Sequence, residues 1–223
     1  MNREIIVGFL NGHADRRTQF DSRTHKNLCC NLNRDLPLLM SSVNGARKTI
    51  DVGLYVTGGE EMKPYEPYRN AGFLLLEPHS SDECEIVQEG FLSSFDRGYS
   101  SVVVLQHGVP NLPADYIERA VRRLREKGGI VLGPLENGGF YLIGMANEAF
   151  DSVYRAGLLS RLCSCDPGHK KEVIDRIESV LPTPYLLPEW YQVRSPSDLK
   201  RLYSDCERDS MPGARWTRHT SCG

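Results

Sequence analysis

Two short runs limit this chain more than any other feature. They are EIIVGFL at residues 4–10 and SSVVVLQ at residues 100–106. The first is a continuous apolar run, so a strand built from it is expected to be buried, as in a parallel sheet. The second run, with Val102, Val103 and Val104 in succession, carries the strongest strand signal of the chain.

Helical and strand-like segments alternate around them. Leu28, Leu32, Leu36 and Leu39 recur at helical spacing over about 23–42, where Pro37 is expected to kink or split the helix. Residues 49–57 (TIDVGLYVT) and 72–76 (GFLLL) read as strands, joined by an acidic, Pro- and Tyr-containing connection. Ile86, Val87, Phe91, Leu92 and Phe95 form a helical apolar stripe that closes at Gly98. Pro113-Ala114-Asp115 opens an amphipathic helix with Ile117, Ala120, Val121 and Leu124 on one face, ended by Gly128-Gly129. Strands are expected at 130–133 and 139–145, helices at 147–156 and 169–180, and a Pro-interrupted extended segment at 183–193. Ser195-Pro196 caps a last helix to about Cys206. Residues 1–209 are expected to form a single domain, and the polar tail, 210–223, to be loose.

This alternation predicts an α/β fold, a three-layer α/β/α arrangement around a mainly parallel, doubly wound sheet. The ligand crevice of such a sheet lies beyond the carboxyl ends of its strands. Three segments therefore converge on the expected site: the loop after residue 10, the loop after residue 106, and GPLENGGFYLIG at 133–144.

Composition narrows the partners. Of 223 residues, 40% are apolar and 25% charged, and the net charge is −2, which gives no overall basic excess for nucleic acid. The arginine-rich face of Arg122, Arg123, Arg125 and Lys127 has no interleaved aromatics and is expected to be solvated. The apolar N-terminal run is too short for a signal peptide or a spanning helix, so a cytoplasmic protein with no membrane partner is expected. Seven irregularly spaced cysteines do not resemble a disulfide framework. Cys163, Cys165 and His169 offer three soft ligands, but a strong zinc motif needs two cysteine pairs, and free thiols are the expectation.

Three stretches resemble landmarks of a bacterial family: VVVLQHGVPNLP (102–113), GPLENGGFYLIG (133–144) and YQVRSPSDLKRL (191–202). The family comprises small glycosyltransferase-A-like transferases, related to nucleotidyltransferases such as the molybdenum-cofactor and lactate-phosphate guanylyltransferases. Order and spacing match from about residue 100 to 202. The resemblance implies a glycosyltransferase-A-like fold and a nucleotide-sugar or phosphorylated small molecule as ligand.

It also implies a departure. The family's acids hold a divalent metal against the nucleotide diphosphate, and they fall here on Gly108, Asn137, Gln192 and Arg194. Magnesium and manganese require hard anionic oxygens, which these four residues lack. No metal site and no tightly bound cofactor are therefore expected, with magnesium or manganese at most carried by the substrate. The family's phosphate-cradling N-terminal loop corresponds to LNGHADRRTQFDSR (10–23), where Gly12, Arg16 and Arg17 keep its character without its spacing.

The candidate binding residues are thus Gly12, Arg16, Arg17, Gln106, Gly108, Asn137, Gly138 and Gly139. His107, as a base or phosphate partner, and Arg194, as a cation in place of the metal, are the catalytic candidates. Against these stand plainer readings: solvated loop arginines, a strand-end histidine, a turn that needs positive φ, and Arg194 paired with Asp198. Glu136 adjoins Asn137 but points to the opposite face of an extended segment. Three functions follow: a transferase working without an acid-held metal, a pseudoenzyme that binds a ligand or pathway partner, or a repurposed biosynthetic enzyme with His107 as base. A homodimer or a pathway partner protein is the macromolecular partner expected.

Overall fold

A computed structural model describes residues 3–10, 19–44, 50–56, 65–80, 82–163, 168–208 and 214–220. Seven strands form one sheet: β1 (Glu4–Leu10), β2 (Asp51–Val56), β3 (Leu74–Leu76), β4 (Ser101–Leu105), β5 (Ile130–Pro134), β6 (Phe140–Ala146) and β7 (Tyr185–Leu186). Their order is β3-β2-β1-β4-β6-β5-β7. All neighbours are parallel except around β6, which runs antiparallel to both β4 and β5. The cause lies in the connection: only five residues, 135–139, join β5 to β6, too few for a parallel crossover.

The two uninterrupted runs become adjacent central strands, with Ile5 opposite Val102 and Gly8 opposite Leu105. Every residue of both is buried. Their side chains alternate between two cores: Ile6 and Leu10 enter one, and Ile5, Val7 and Phe9 the other. The first core is closed by α1 (Ser22–Asn44) and α4 (Ala114–Lys127) through Leu36, Leu39, Met40, Ile117, Val121 and Leu124. The second is closed by α3 (Glu83–Asp96), α5 (Asn147–Arg155), α6 (Leu159–Cys163) and α7 (Lys170–Glu178). A short α2 (Glu66–Asn70) precedes β3, and α8 (Pro196–Arg208) follows the last strand. Helices thus cover both faces, as the alternation of elements predicts. Among the described residues no helix is long and apolar enough to cross a membrane.

Helix α1 runs unbroken through Pro37, where a kink or split was expected. A proline inside a helix costs about 3 kcal/mol. Each leucine buried along the same helix returns roughly 1.5–3 kcal/mol, and Leu28, Leu32, Leu36 and Leu39 are all buried, so packing wins.

The expectation of a loose tail does not describe residues 214–220. Ala214 and Thr217 are fully buried. Asp35 on α1 accepts from Trp216 N (2.8 Å), Thr217 N (2.6 Å) and Thr217 Oγ1 (2.6 Å). Asn31 donates to Thr220 Oγ1 at 2.8 Å, and the Arg34 guanidinium lies over the Trp216 ring. A buried carboxylate needs such donors, and burial still holds the Asp35 carboxyl above its ordinary value against these hydrogen bonds. Polar composition hid the docking because the anchoring groups are backbone amides and hydroxyls.

Candidate functional site

The carboxyl ends of β1, β2, β3 and β4 form one edge of the sheet, with residues 106–112 emerging from β4. Gln106 continues the sheet by donating its N–H to Tyr141 O at 2.9 Å. Its side chain is buried, and its Oε1 has no hydrogen-bond partner. It lines a small recess with His107, Gly108, Val109 and Pro110 on one wall and Leu32, Leu36 and Leu39 of α1 on the other.

The segment 190–194 crosses over this turn. Val193 N donates to Gly108 O at 2.9 Å, and Gln192 Nε2 donates to His107 O. Gly108 has φ +91°, a conformation costly for any residue with a Cβ. A Cβ there would also lie 2.7 Å from Gln192 Cγ, so the glycine admits the glutamine. Gln192 is 93% buried, and its Oε1 has no hydrogen-bond partner. Gln106, His107, Gly108, Gln192 and Arg194 are thereby gathered on one patch. Gln19 N donates to Arg194 O at 2.9 Å, so the chain at residue 19 joins the same patch. The candidates Gly12, Arg16 and Arg17 lie outside the described residues, as does Cys165.

His107 is half-buried, with Nε2 turned out of solvent reach. Arg194 does not face an idle Asp198. That carboxylate accepts from Arg194 N (3.0 Å), Ser195 N (2.8 Å) and Ser195 Oγ (2.7 Å), while Asp198 N donates to Ser195 Oγ. This reciprocal pattern is a capping box that starts α8.

The turn between β5 and β6 is pinned separately. Gly138 (φ +94°) and Gly139 (φ +72°) are buried in it, closed by Leu135 N to Gly139 O (3.0 Å), and Asn137 is exposed. Glu136 N donates to Trp190 O, and Trp190 N to Pro134 O, stitching the turn to the crossing segment. Glu136 forms a two-bond ion pair with Arg201 of α8 (2.7 and 2.8 Å). The hydrogen bonds from Arg201 hold the Glu136 carboxyl below its ordinary value. Glu136 is therefore committed away from a ligand. Lys170 of α7 donates to Leu135 O at 3.0 Å and also contacts Glu189. Asn137 shares the sheet edge with residues 106–108, but the contacts of its turn run to Trp190, Arg201 and Lys170 rather than to His107 or Arg194.

A buried network fixes the crossing segment from below. Asn111 Nδ2 donates to Tyr191 OH, Tyr191 OH donates to Asp205 Oδ2 (2.7 Å), and Trp190 Nε1 donates to Asn111 Oδ1 (3.3 Å). The Arg201 guanidinium sits 3.9 Å from the centre of the Tyr191 ring. Burial, and then the bond to Asp205, push the Tyr191 phenol far above its ordinary value, so it stays protonated. Trp190 and Tyr191 are packing residues here, stacked on each other. Sequence reasoning missed Asn111, Lys170 and Arg201, because no spacing in the chain marks their tertiary partners.

Cys163 is buried, and His169 stands half-exposed at the start of α7. Among the described residues no group of three His, Cys, Asp or Glu side chains could hold a metal ion.

Residues 42–156 match the model of a family described as "Uncharacterized protein conserved in bacteria (DUF2064)". No curated protein matches the chain. A solved protein from Desulfovibrio desulfuricans, described as a nucleotide-diphospho-sugar transferase, is 19% identical with a TM-score of 0.71, covering 98% of this chain and 95% of its own. A 4-diphosphocytidyl-2C-methyl-D-erythritol synthase from Anaerococcus prevotii is 11% identical with a TM-score of 0.60, covering 93% and 97%. A CMP:2-keto-3-deoxy-manno-octonic acid synthetase complexed with CTP is 9% identical with a TM-score of 0.53, covering 93% and 99%. At these identities the likeness is one of fold, and the fold is glycosyltransferase-A-like.

Proposed function

This chain belongs to the DUF2064 family, and from that premise we propose that it is a nucleotidyl- or glycosyltransferase-like protein. Its ligand is a nucleotide-activated or phosphorylated sugar-like molecule, bound at the carboxyl edge of the sheet without an acid-held metal. One observation carries the reading: residues 106–108 and 192–194, distant in sequence, meet on the sheet edge where this fold binds ligands. The nucleotide and nucleotide-sugar chemistry of the structural neighbours supports the ligand class.

The residues at the crossing do not fit a hard divalent ion. Gly108 brings no side chain, and Gln192 aims an amide donor, Nε2, at a main-chain carbonyl. Magnesium or manganese would need anionic oxygens there. In this reading Arg194, together with Arg16, Arg17 and His107, neutralises phosphate in the metal's stead, since fixed cations stabilise developing charge as a metal would. Backbone at Gly138 and Gly139 lines the sugar or nucleoside, and Asn137 bonds a hydroxyl as donor or acceptor.

Calorimetry of the protein against CTP, GTP, UTP, UDP-glucose and GDP-mannose, each with and without manganese, tests the reading. Binding of at least one ligand in both conditions is expected. No binding in either condition sinks it, and binding only with manganese removes the metal-independent part.

A second reading, a ligand- or partner-binding pseudoenzyme, is favoured by the way the Gln192 side chain packs into the space over Gly108. Nucleotide binding with no turnover, and co-elution with a pathway protein on gel filtration, would select it.

A further inference from the structure

A histidine absent from the motifs stands at the same sheet edge. His79 follows β3 by three residues, and Glu89 of α3 grips it twice. Glu89 Oε1 meets His79 Nδ1 at 2.6 Å, and Glu89 Oε2 accepts from His79 N at 2.9 Å. The histidine side chain is 93% exposed and Glu89 only 22%, so the carboxylate orients the ring from beneath while Nε2 faces solvent. The support is rigid. Asp82 caps α3 through Cys84 N (2.9 Å) and Glu85 N (3.0 Å), Asp82 N donates to Ser80 Oγ, and Ser80 Oγ donates to Glu85. From the opposite side, Tyr55 of β2 shares a 2.6 Å hydrogen bond with Ser93, one turn along α3 from Glu89.

The register places the strand end that leads to His79 level with the crevice. Leu76 is level with Tyr55, and Tyr55 with Phe9, while Leu105 is level with Gly8. Leu76 and Gln106 therefore stand at the same height on the sheet. They are separated by three strand spacings, about 14 Å, a span that a nucleotide-activated sugar can bridge. A ligand anchored at 106–108 and 192–194 would present its far end toward His79. The imidazole geometry suits a proton acceptor: Nδ1–H donated to a fixed carboxylate leaves Nε2 as the free base. His107, with its Nε2 out of solvent reach, does not offer this.

We propose that His79, oriented by Glu89, is the general base of this crevice, and that the acceptor substrate is an alcohol rather than a phosphate monoester. The inference rests on the transferase reading above. A phosphate acceptor is already anionic and needs no base, whereas an alcohol must lose a proton as it attacks. His79 Nε2 takes that proton, and the acceptor oxygen forms its new bond to the α-phosphorus of a nucleotide or the anomeric carbon of a nucleotide-sugar. The bond to the leaving group breaks, and pyrophosphate or nucleoside diphosphate departs with the electron pair. Glu89 is a positioning residue that keeps the ring in the Nδ1–H form.

The test has two arms on the intact protein. Nitrogen-15 NMR of the histidine side chains reads the tautomer. His79 is expected as Nδ1–H in the native protein and as Nε2–H in Glu89→Gln, and an Nε2–H native ring overturns the proposal. The second arm pairs any nucleotide that binds with alcohol acceptors (methyl glycosides and glycerol) and with sugar 1-phosphates. Transfer to an alcohol is expected, with kcat falling about 100-fold or more in His79→Gln at unchanged KM and unchanged melting temperature. Transfer to phosphates alone, transfer indifferent to His79, or nucleotide binding without any transfer each overturns the base and leaves the binding reading intact. Absence of nucleotide binding overturns the reading beneath it.

Discussion

The two ends of the crevice edge are built in opposite ways. Around β4, most of the turn 106–112 and of the crossing segment 190–194 is buried, and Gln192, Asn111, Tyr191 and Asp205 bind them together. Around β3, His79 lies on the surface, held by a single carboxylate. The first region buys a fixed shape with interior hydrogen bonds, whose loss leaves buried groups without partners. The second carries chemistry that the fold does not need. Stability and function should therefore separate when residues of the two ends are changed.

The largest effect is expected at Gly108. Gly108→Ala strains a backbone at φ +91° and drives Cβ into Gln192, and should cost about 3 kcal/mol in urea unfolding. A loss under about 1 kcal/mol would mean that the crossing segment is not locked on the turn. Tyr191→Phe comes next. It removes the hydroxyl between Asn111 and Asp205 and should cost about 2 kcal/mol, because the Asn111 amide stays buried without its partner. Arg201→Ala breaks an ion pair whose side chains are nearly half exposed, and under about 1 kcal/mol is expected. Release of Glu136 should still be visible as shifted amide resonances at 136–139. His79→Gln should leave stability within about 0.5 kcal/mol of the parent. A substantial loss there would erase the contrast between the two ends.

The central strands and their helices were legible from the sequence because burial on both faces leaves an unbroken apolar run, as in Val102, Val103 and Val104. Helix α4 was legible from its proline start and glycine stop. The direction of β6 was latent in the five-residue connection, but apolar content alone does not report it. At the site, Gln106, Gly108, Gln192 and Arg194 came into view through motif spacing, and the structure brings them together at one crossing. Asn111, Lys170, Arg201 and the pair of His79 with Glu89 were not legible. Each acts through a partner set by tertiary packing, and Glu89 lies ten residues from His79 across a loop and a helix start. The anchoring of 214–220 on Asp35 was hidden for the same reason.

Amide chemical-shift mapping with saturating nucleotide tests the central claim most directly. With whichever of CTP, GTP or UDP-glucose binds, and with EDTA present to remove free divalent metal, the largest shifts are expected at 106–109, 137–139 and 192–195. Shifts confined to other surfaces, or none without added manganese, would contradict a metal-independent ligand crevice at the carboxyl edge of this sheet.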